Sequence, residues 1–270
     1  MIELIKDLLN IREEKILYRK DTPYNNIVVI DDGKKIKLIL DSTYNLHSVL
    51  VRGSLFTGSY WDVCALLALL MCANIKNSSI IILGFGGGSV SRIIKHIFPN
   101  IKVVGVDIDK HVLFVAKQFF NSSADLLVVS EFSSFLETVK RKFSVIFIDV
   151  FQKATVPYSL FEEHIWELIF QKTNYGFIVN TISTIQSEDI VDASKKFFPK
   201  VKVLKSPESS NYIVFGIKSA EVNIMNILEQ NFLYVRKTLE NKFEKSQILN
   251  NEITDILATL DYIFESIKYL

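Results

Sequence analysis

Ser79-Ile80-Ile81-Ile82-Leu83-Gly84-Phe85-Gly86-Gly87-Gly88-Ser89 is the stretch that decides the fold. An apolar run without alternation leads straight into a cluster of glycines. Such a run reads as a strand buried on both faces, hence one inside a parallel sheet. The glycines allow a tight turn and let a ligand approach the backbone. The helix that follows leaves its first backbone N–H groups free for polar ligand groups. Taken alone, a Gly-rich loop is equally a plain strand–helix turn. Here, however, Asp107 ends the next apolar run, about 20 residues on, where a ribose diol would be held. The pair predicts a nucleoside site.

Outward from this centre the same pattern repeats. Val103-Val104-Gly105-Val106 ends at Asp107, and Leu126-Leu127-Val128-Val129 ends at Ser130-Glu131. Val145-Ile146-Phe147-Ile148 ends at Asp149, and Phe177-Ile178-Val179-Asn180 follows Gly176. The spacers are long enough for helical crossovers, so these five runs predict a parallel sheet with helices on both faces. Val201–Leu204 and Tyr212–Gly216 are separated only by a loop containing Ser206-Pro207. They predict an antiparallel hairpin closing the sheet. The expected fold class is α/β: a seven-stranded Rossmann sheet of the methyltransferase type. A nicotinamide dinucleotide stays open as ligand. Yet Ser89 breaks the GxGxxG spacing, and the antiparallel ending points to sulfonium nucleosides.

At the front, residues 16–18, 27–30 and 36–40 are strand-like, with a turn signal at Asp31-Asp32-Gly33-Lys34. They predict a small β-rich domain over 1–58, before a nucleoside-binding domain over 59–218. Residues 219–270 show no strand signal. Ile224, Ile227, Leu228, Phe232 and Val235 recur at helical spacing, as do Ile248, Ile253, Ile256, Leu257, Leu260, Ile263, Phe264 and Ile267. Two amphipathic helices are expected, packing on the domain or on a second subunit.

Composition narrows the function classes. Of 270 residues, 49% are hydrophobic, and 31 Lys and Arg face 30 Asp and Glu. That balance offers no electrostatic reason for a nucleic-acid or anionic-membrane partner. A mean hydropathy of +0.25 raises the membrane question. The longest apolar run, Val63–Ala73, is too short to span a bilayer and reads as a buried helix. Met1–Asp7 lacks the layout of a leader peptide, so a cytoplasmic protein is expected. Cys64 and Cys72 share the buried run and read as reduced and inert. The four histidines show no metal-ligand spacing.

Asp149 is the carboxylate of greatest chemical interest. Carboxyl ends of strands are where such sheets bind ligands. A buried carboxylate there can hold a substrate amine as ammonium and then take its proton. The alternative is an Asp that caps the next turn. Glu131 stands where an adenine amino group could be read, or else caps a helix.

Taken together these residues resemble the spermidine synthases and their wider family, over about residues 16–217. Asn26–Lys34 looks like the family's N-terminal hairpin. Leu38-Ile39-Leu40-Asp41 resembles its LxLD segment, with Asn45 where Gln is frequent. Ser59-Tyr60-Trp61-Asp62 resembles its Tyr-His/Gln-Glu element, Asp62 replacing Glu. Gly84–Ser89 is similar to a GxGGGS nucleoside loop. Phe147–Phe151, followed by Val156–Phe161, is similar to the gate loop and the helix after it. Two departures stand out. Gly87 occupies the place of an Asp, and Gln152 stands where the gate carries a second Asp.

The resemblance implies aminopropyl transfer from decarboxylated S-adenosylmethionine to an amine. The donor would contact Gly84, Gly86, Gly88, Asp107 and Glu131. Asp149 would be the acceptor-orienting base, with Tyr60 and Asp62 assisting. No tightly bound cofactor or metal is implied, and a homodimer or homotetramer is expected. A methyltransferase using S-adenosylmethionine stays open. It would need a cation near the loop for the donor's carboxylate, a role open to Arg92 or Lys95. A nucleoside-binding homologue without turnover also stays open, given Gly87 and Gln152.

Overall fold

The computed structural model describes residues 14–41, 45–152, 155–207, 209–218, 223–244 and 250–268. The expectations resting on Met1–Asp7, Ile248 and the gate-loop tip at Lys153 and Ala154 lie outside these residues.

Four antiparallel strands come first: β1 (Lys15–Asp21), β2 (Asn26–Asp31), β3 (Lys35–Ile39) and β4 (Ser48–Val51), in that spatial order. β4 is a strand the sequence reading did not single out, because its four residues form no pattern of their own. Then follow helix α1 (Tyr60–Cys72), β5 (Ser79–Leu83), α2 (Ser89–Ile97), β6 (Lys102–Asp107), α3 (Lys110–Phe119) and β7 (Leu126–Val129). The chain continues through α4 (Phe132–Thr138), β8 (Phe143–Ile148), a 3-10 turn (Tyr158–Phe161), α5 (Glu163–Lys172) and β9 (Thr173–Thr181). It ends with α6 (Thr184–Lys195), β10 (Lys200–Lys205), β11 (Tyr212–Ile217), α7 (Asn223–Glu244) and α8 (Asn250–Ile267).

β5 to β11 form one seven-stranded sheet in the order β10-β11-β9-β8-β5-β6-β7. β7, β6, β5, β8 and β9 are parallel, and β11 runs antiparallel to both β9 and β10. The closing hairpin therefore folds back, so that its second strand pairs with the parallel set. The strand order reverses between β5 and β8, which opens a crevice at their carboxyl ends, where α/β sheets bind ligands.

One reading of the strands needs correction. β7 is not buried on both faces: Leu126 and Val129 are 54% and 56% exposed. It is the edge of the sheet, and an apolar run cannot tell an edge strand from a central one.

α1 answers the hydropathy question. All of its residues are buried. It lies on β8 and β9 and is itself covered by α7 and α8. A helix apolar on every side requires such double cover. Ile224, Leu228, Val235, Leu239, Phe243, Ile256, Leu260, Ile263 and Ile267 supply it and join the same core. Among the described residues no helix is long and apolar enough to cross a membrane. Trp166, Phe177 and Phe198 meet edge to face on the other side of the sheet. The four-stranded sheet packs Ile27, Val29, Ile36 and Leu38 onto Val112, Val115 and Phe120 of the α3 region.

Candidate active site

The glycine loop is shaped by what lies around it. Gly84, Gly86 and Gly88 have φ of 80°, 54° and 78°, a region that L side chains rarely enter. A Cβ on Gly84 would stand 2.3 Å from the carbonyl oxygen of Asp149. This contact joins the glycine loop to the neighbouring strand end. Asp149 N–H in turn donates to Leu83 O at 2.7 Å.

Asp107 is held by two backbone donors. Gly86 N–H reaches its Oδ2 at 3.1 Å, and Asp109 N–H reaches its Oδ1 at 3.0 Å. Each oxygen keeps acceptor capacity for a hydroxyl. Burial pushes the carboxyl up to about 6, against the pull of those two N–H groups. Asp109 caps α3 through His111 N–H and accepts from Thr22 Oγ1 and Asn25 Nδ2. The front hairpin is thereby tied to the acidic strand end.

A second tie comes from β4. Ser48 Oγ accepts from Gly87 N–H at 2.7 Å, and Ser89 Oγ donates to Val49 O at 3.1 Å. Ser48 is a site residue the sequence reading missed. The bond spans 39 residues, and an isolated serine carries no signal of it. A cavity beside the loop is lined by Ser48, Trp61, Gly84, Phe85, Phe147 and Asp149, among others.

Asp149 follows directly on β8 at the crevice. Its Oδ2 accepts from Tyr60 Oη at 3.1 Å and its Oδ1 from Asn180 Nδ2 at 2.8 Å. Asn211 Nδ2 holds Asn180 Oδ1 at 2.9 Å, which fixes the amide with its nitrogen toward Asp149. Burial pushes Asp149 up to about 6, and the Asn180 and Tyr60 hydrogen bonds restrain it from going further. Burial and the adjacent carboxylate push Tyr60 well above the usual tyrosine range, so it stays a neutral donor. Asn180 is the second residue missed. It ends an apolar strand as Asp107 and Asp149 do, so the signal was present.

The remaining candidates sit elsewhere in the local structure. Asp62 accepts from Thr57 N–H, Thr57 Oγ1 and Gly58 N–H at 2.7–3.0 Å. Its carboxylate is taken up by the turn that starts α1. It supports Tyr60 through the backbone and does not join it at Asp149. Glu131 caps α4, accepting from Ser133 Oγ at 2.5 Å and Ser134 N–H at 2.9 Å. Burial raises its pKa, but these bonds outweigh that and leave it below the usual range.

Arg92 turns toward Ser54 O, and Lys95 is engaged by Asp125, Pro99 O and Ile101 O. Neither lines the cavity. Among the described residues no lysine, arginine or histidine does. Nor does any group of three or more His, Cys, Asp or Glu come together in a way that could hold a metal ion. Cys64 and Cys72 are buried free thiols, and burial pushes Cys72 up to about 12.

The chain is similar to known proteins in sequence and in fold. Residues 64–189 match the spermine/spermidine synthase domain. The chain is 25% identical over 228 residues to a probable polyamine aminopropyl transferase of Bifidobacterium longum, covering 81% of this chain and 50% of that protein. It is 25% identical over 172 residues to a polyamine aminopropyltransferase of Saccharolobus solfataricus, covering 60% and 55%. The chain thus spans about half the length of these curated relatives. A crystal structure of a probable spermidine synthase from Corynebacterium glutamicum superposes with a TM-score of 0.66 at 16% identity, over 83% of this chain and 93% of that one. That likeness bears on the fold. The domain match takes in the glycine loop, Asp107 and Asp149, so the part of the chain that carries the candidate site is the part similar to the spermine/spermidine synthase domain.

Proposed function

We propose that this protein moves an aminopropyl group from decarboxylated S-adenosylmethionine to an amine. The observation that carries this reading is Asp149: a buried carboxylate at the switch point, locked by Tyr60 and Asn180, against Gly84 of the nucleoside loop. The glycine loop and Asp107 would take the adenosine, with the ribose diol on Asp107. Asp149 would bind the acceptor as ammonium, take one proton and orient the freed lone pair. The nitrogen then attacks the propyl carbon next to sulfur. The C–S bond breaks, its electron pair stays on sulfur, and a neutral thioether leaves. Most of the rate comes from holding nitrogen and carbon in line.

The cavity lining, which includes Asp149 and no lysine, arginine or histidine, supports the decarboxylated donor over S-adenosylmethionine itself. A donor carboxylate would lie there without a cation. The relatives' names point the same way.

Asp149→Asn tests the assignment. Turnover should drop about 10²–10⁴-fold, while calorimetry shows donor affinity within a few-fold of the parent. Unchanged turnover would remove Asp149 as base. Failure of the parent chain to bind either nucleoside at millimolar concentration would remove the enzyme reading.

A further inference from the structure

The donor of the proposed reaction carries charge on a sulfonium, a cation with no N–H or O–H to donate. An aliphatic wall would leave that charge unmatched. The face of an aromatic ring does match it, because the ring quadrupole is negative there.

The cavity beside the glycine loop offers such faces. Trp61, Phe85 and Phe147 line it, and all three are buried. Its two serine hydroxyls are already engaged. Ser48 Oγ accepts from Gly87 N–H and donates to His47 O, and Ser89 Oγ donates to Val49 O. Among the described residues, Asp149 is the one ionisable side chain of the lining. A carboxylate suits an ammonium, which has protons to give, while a ring suits a sulfonium, which has none.

Of the three rings, that of Trp61 is best placed. The Phe85 ring is committed to packing: a Cβ on Gly105 or Gly88 would stand 2.2 or 2.7 Å from it. The Trp61 ring lies 4.4 Å from that of Tyr60, whose Oη reaches Asp149 at 3.1 Å. The Trp61 indole N–H also draws the Asp149 carboxyl down. Trp61 thus stands beside the carboxylate that would orient the attacking nitrogen. Nitrogen, carbon and sulfur are in line during the attack, so a ring at Asp149 is within reach of the sulfur. Indole also has the strongest cation-binding face of the aromatic side chains.

We propose that Trp61 recognises the donor's sulfonium through its indole ring and so selects the charged donor over the neutral thioether product. The proposal rests on the aminopropyl-transfer reading and names the group that selects its donor. As the new N–C bond forms, the C–S electron pair passes to sulfur and cancels its charge, while the nitrogen's proton goes to Asp149. The attraction to Trp61 ends with that charge, which favours release of the thioether.

The test is calorimetry on the full chain with 5′-dimethylsulfonio-5′-deoxyadenosine and 5′-methylthioadenosine. The two differ by one methyl group and the positive charge, and neither carries a side-chain amine or carboxylate. The parent should bind the sulfonium about tenfold more tightly. Trp61→Leu should lose about tenfold in sulfonium affinity and stay within a few-fold for the thioether. Equal affinities in the parent, or a variant that weakens both ligands alike, overturns the proposal. Trp61 is buried, so a second measurement avoids the substitution. Chain made with 5-fluorotryptophan, then with 5,7-difluorotryptophan, nearly keeps the indole's shape and weakens its face. The other tryptophan, Trp166, packs on Phe177 across the sheet and does not line the cavity. Sulfonium affinity should fall with each added fluorine while thioether affinity holds, and an unmoved sulfonium affinity overturns the proposal. Binding of neither ligand at millimolar concentration overturns it together with the transfer reading. A sulfonium preference that passes both tests, in a chain that turns over no amine, removes aminopropyl transfer and leaves the role of Trp61 standing.

Discussion

As the proposed base, Asp149 must be ionised to take a proton, yet it sits where burial resists ionisation. Its pKa of about 6 has two consequences of opposite use. For activity, kcat/KM should fall about tenfold per pH unit below about 6, as the carboxylate protonates. A pH–rate profile flat down to pH 4.5 would remove it as base. For stability, the folded chain holds more protons than the unfolded chain between the usual 3.8 and about 6. The stability that Asp149 contributes is present below that window and is lost as pH rises through 6. Asp149→Asn should therefore raise Tm at pH 8, on the order of 3 °C, and give little gain at pH 4. Scanning calorimetry at the two pH values checks this. Gly84 makes the opposite case. Gly84→Ala puts a Cβ at positive φ and 2.3 Å from a backbone oxygen. It should cost about 3 kcal/mol or more and displace Asp149. Urea unfolding together with turnover measures both effects.

At the scale of elements, the site depends on how helices begin. α1 begins with a capping box, Ser59 to Asp62, that also gathers the N–H groups of Thr57 and Gly58. That turn sets where Tyr60 points. Asp62→Ala leaves four donors without their acceptor and should cost about 3 kcal/mol in urea unfolding. Residual turnover should show a larger fall in kcat than in donor affinity, because Tyr60 moves while the glycine loop does not. The Ser-x-x-Asp spacing of this box is a local signal, but the sequence reading gave Asp62 to the site instead. The same locality explains Glu131, whose two alternatives were adenine reading and capping. It stands one residue before α4 and bonds that helix's own first turn. By contrast, β7 looked like a central strand because the sequence of an edge strand does not show which neighbour is missing.

Across the whole molecule, α7 and α8 turn an otherwise greasy helix into an interior one. Asn231 of α7 fastens them. Its Oδ1 accepts from Asn74 N–H and its Nδ2 donates to Leu70 O, each at 2.8 Å, closing the end of α1. Asn231→Ala should cost about 2 kcal/mol in chemical denaturation, with turnover of the folded protein unchanged. A large loss of turnover would mean that the C-terminal helices act on the site as well as on the core. Near the start of α8, Glu252 accepts from Ser54 Oγ at 2.5 Å, so the layer also reaches the chain leading into α1.

What the sequence determined by itself is whatever depends on a residue and its near neighbours. Five apolar runs ended by Gly84, Asp107, Glu131, Asp149 and Asn180 dictate a parallel sheet, because continuous burial needs helices on both faces. The same run ends put Asp107 and Asp149 at the ligand edge. Only the tertiary structure decided which polar groups meet there. Tyr60 reaches Asp149 across 89 positions, Asn180 across 31, and Ser48 reaches Gly87 across 39. Hydrogen bonds of that range carry no periodicity and no local propensity. They follow from how the strands order themselves and how the front sheet docks, which is settled by packing of the whole core and not by any one segment.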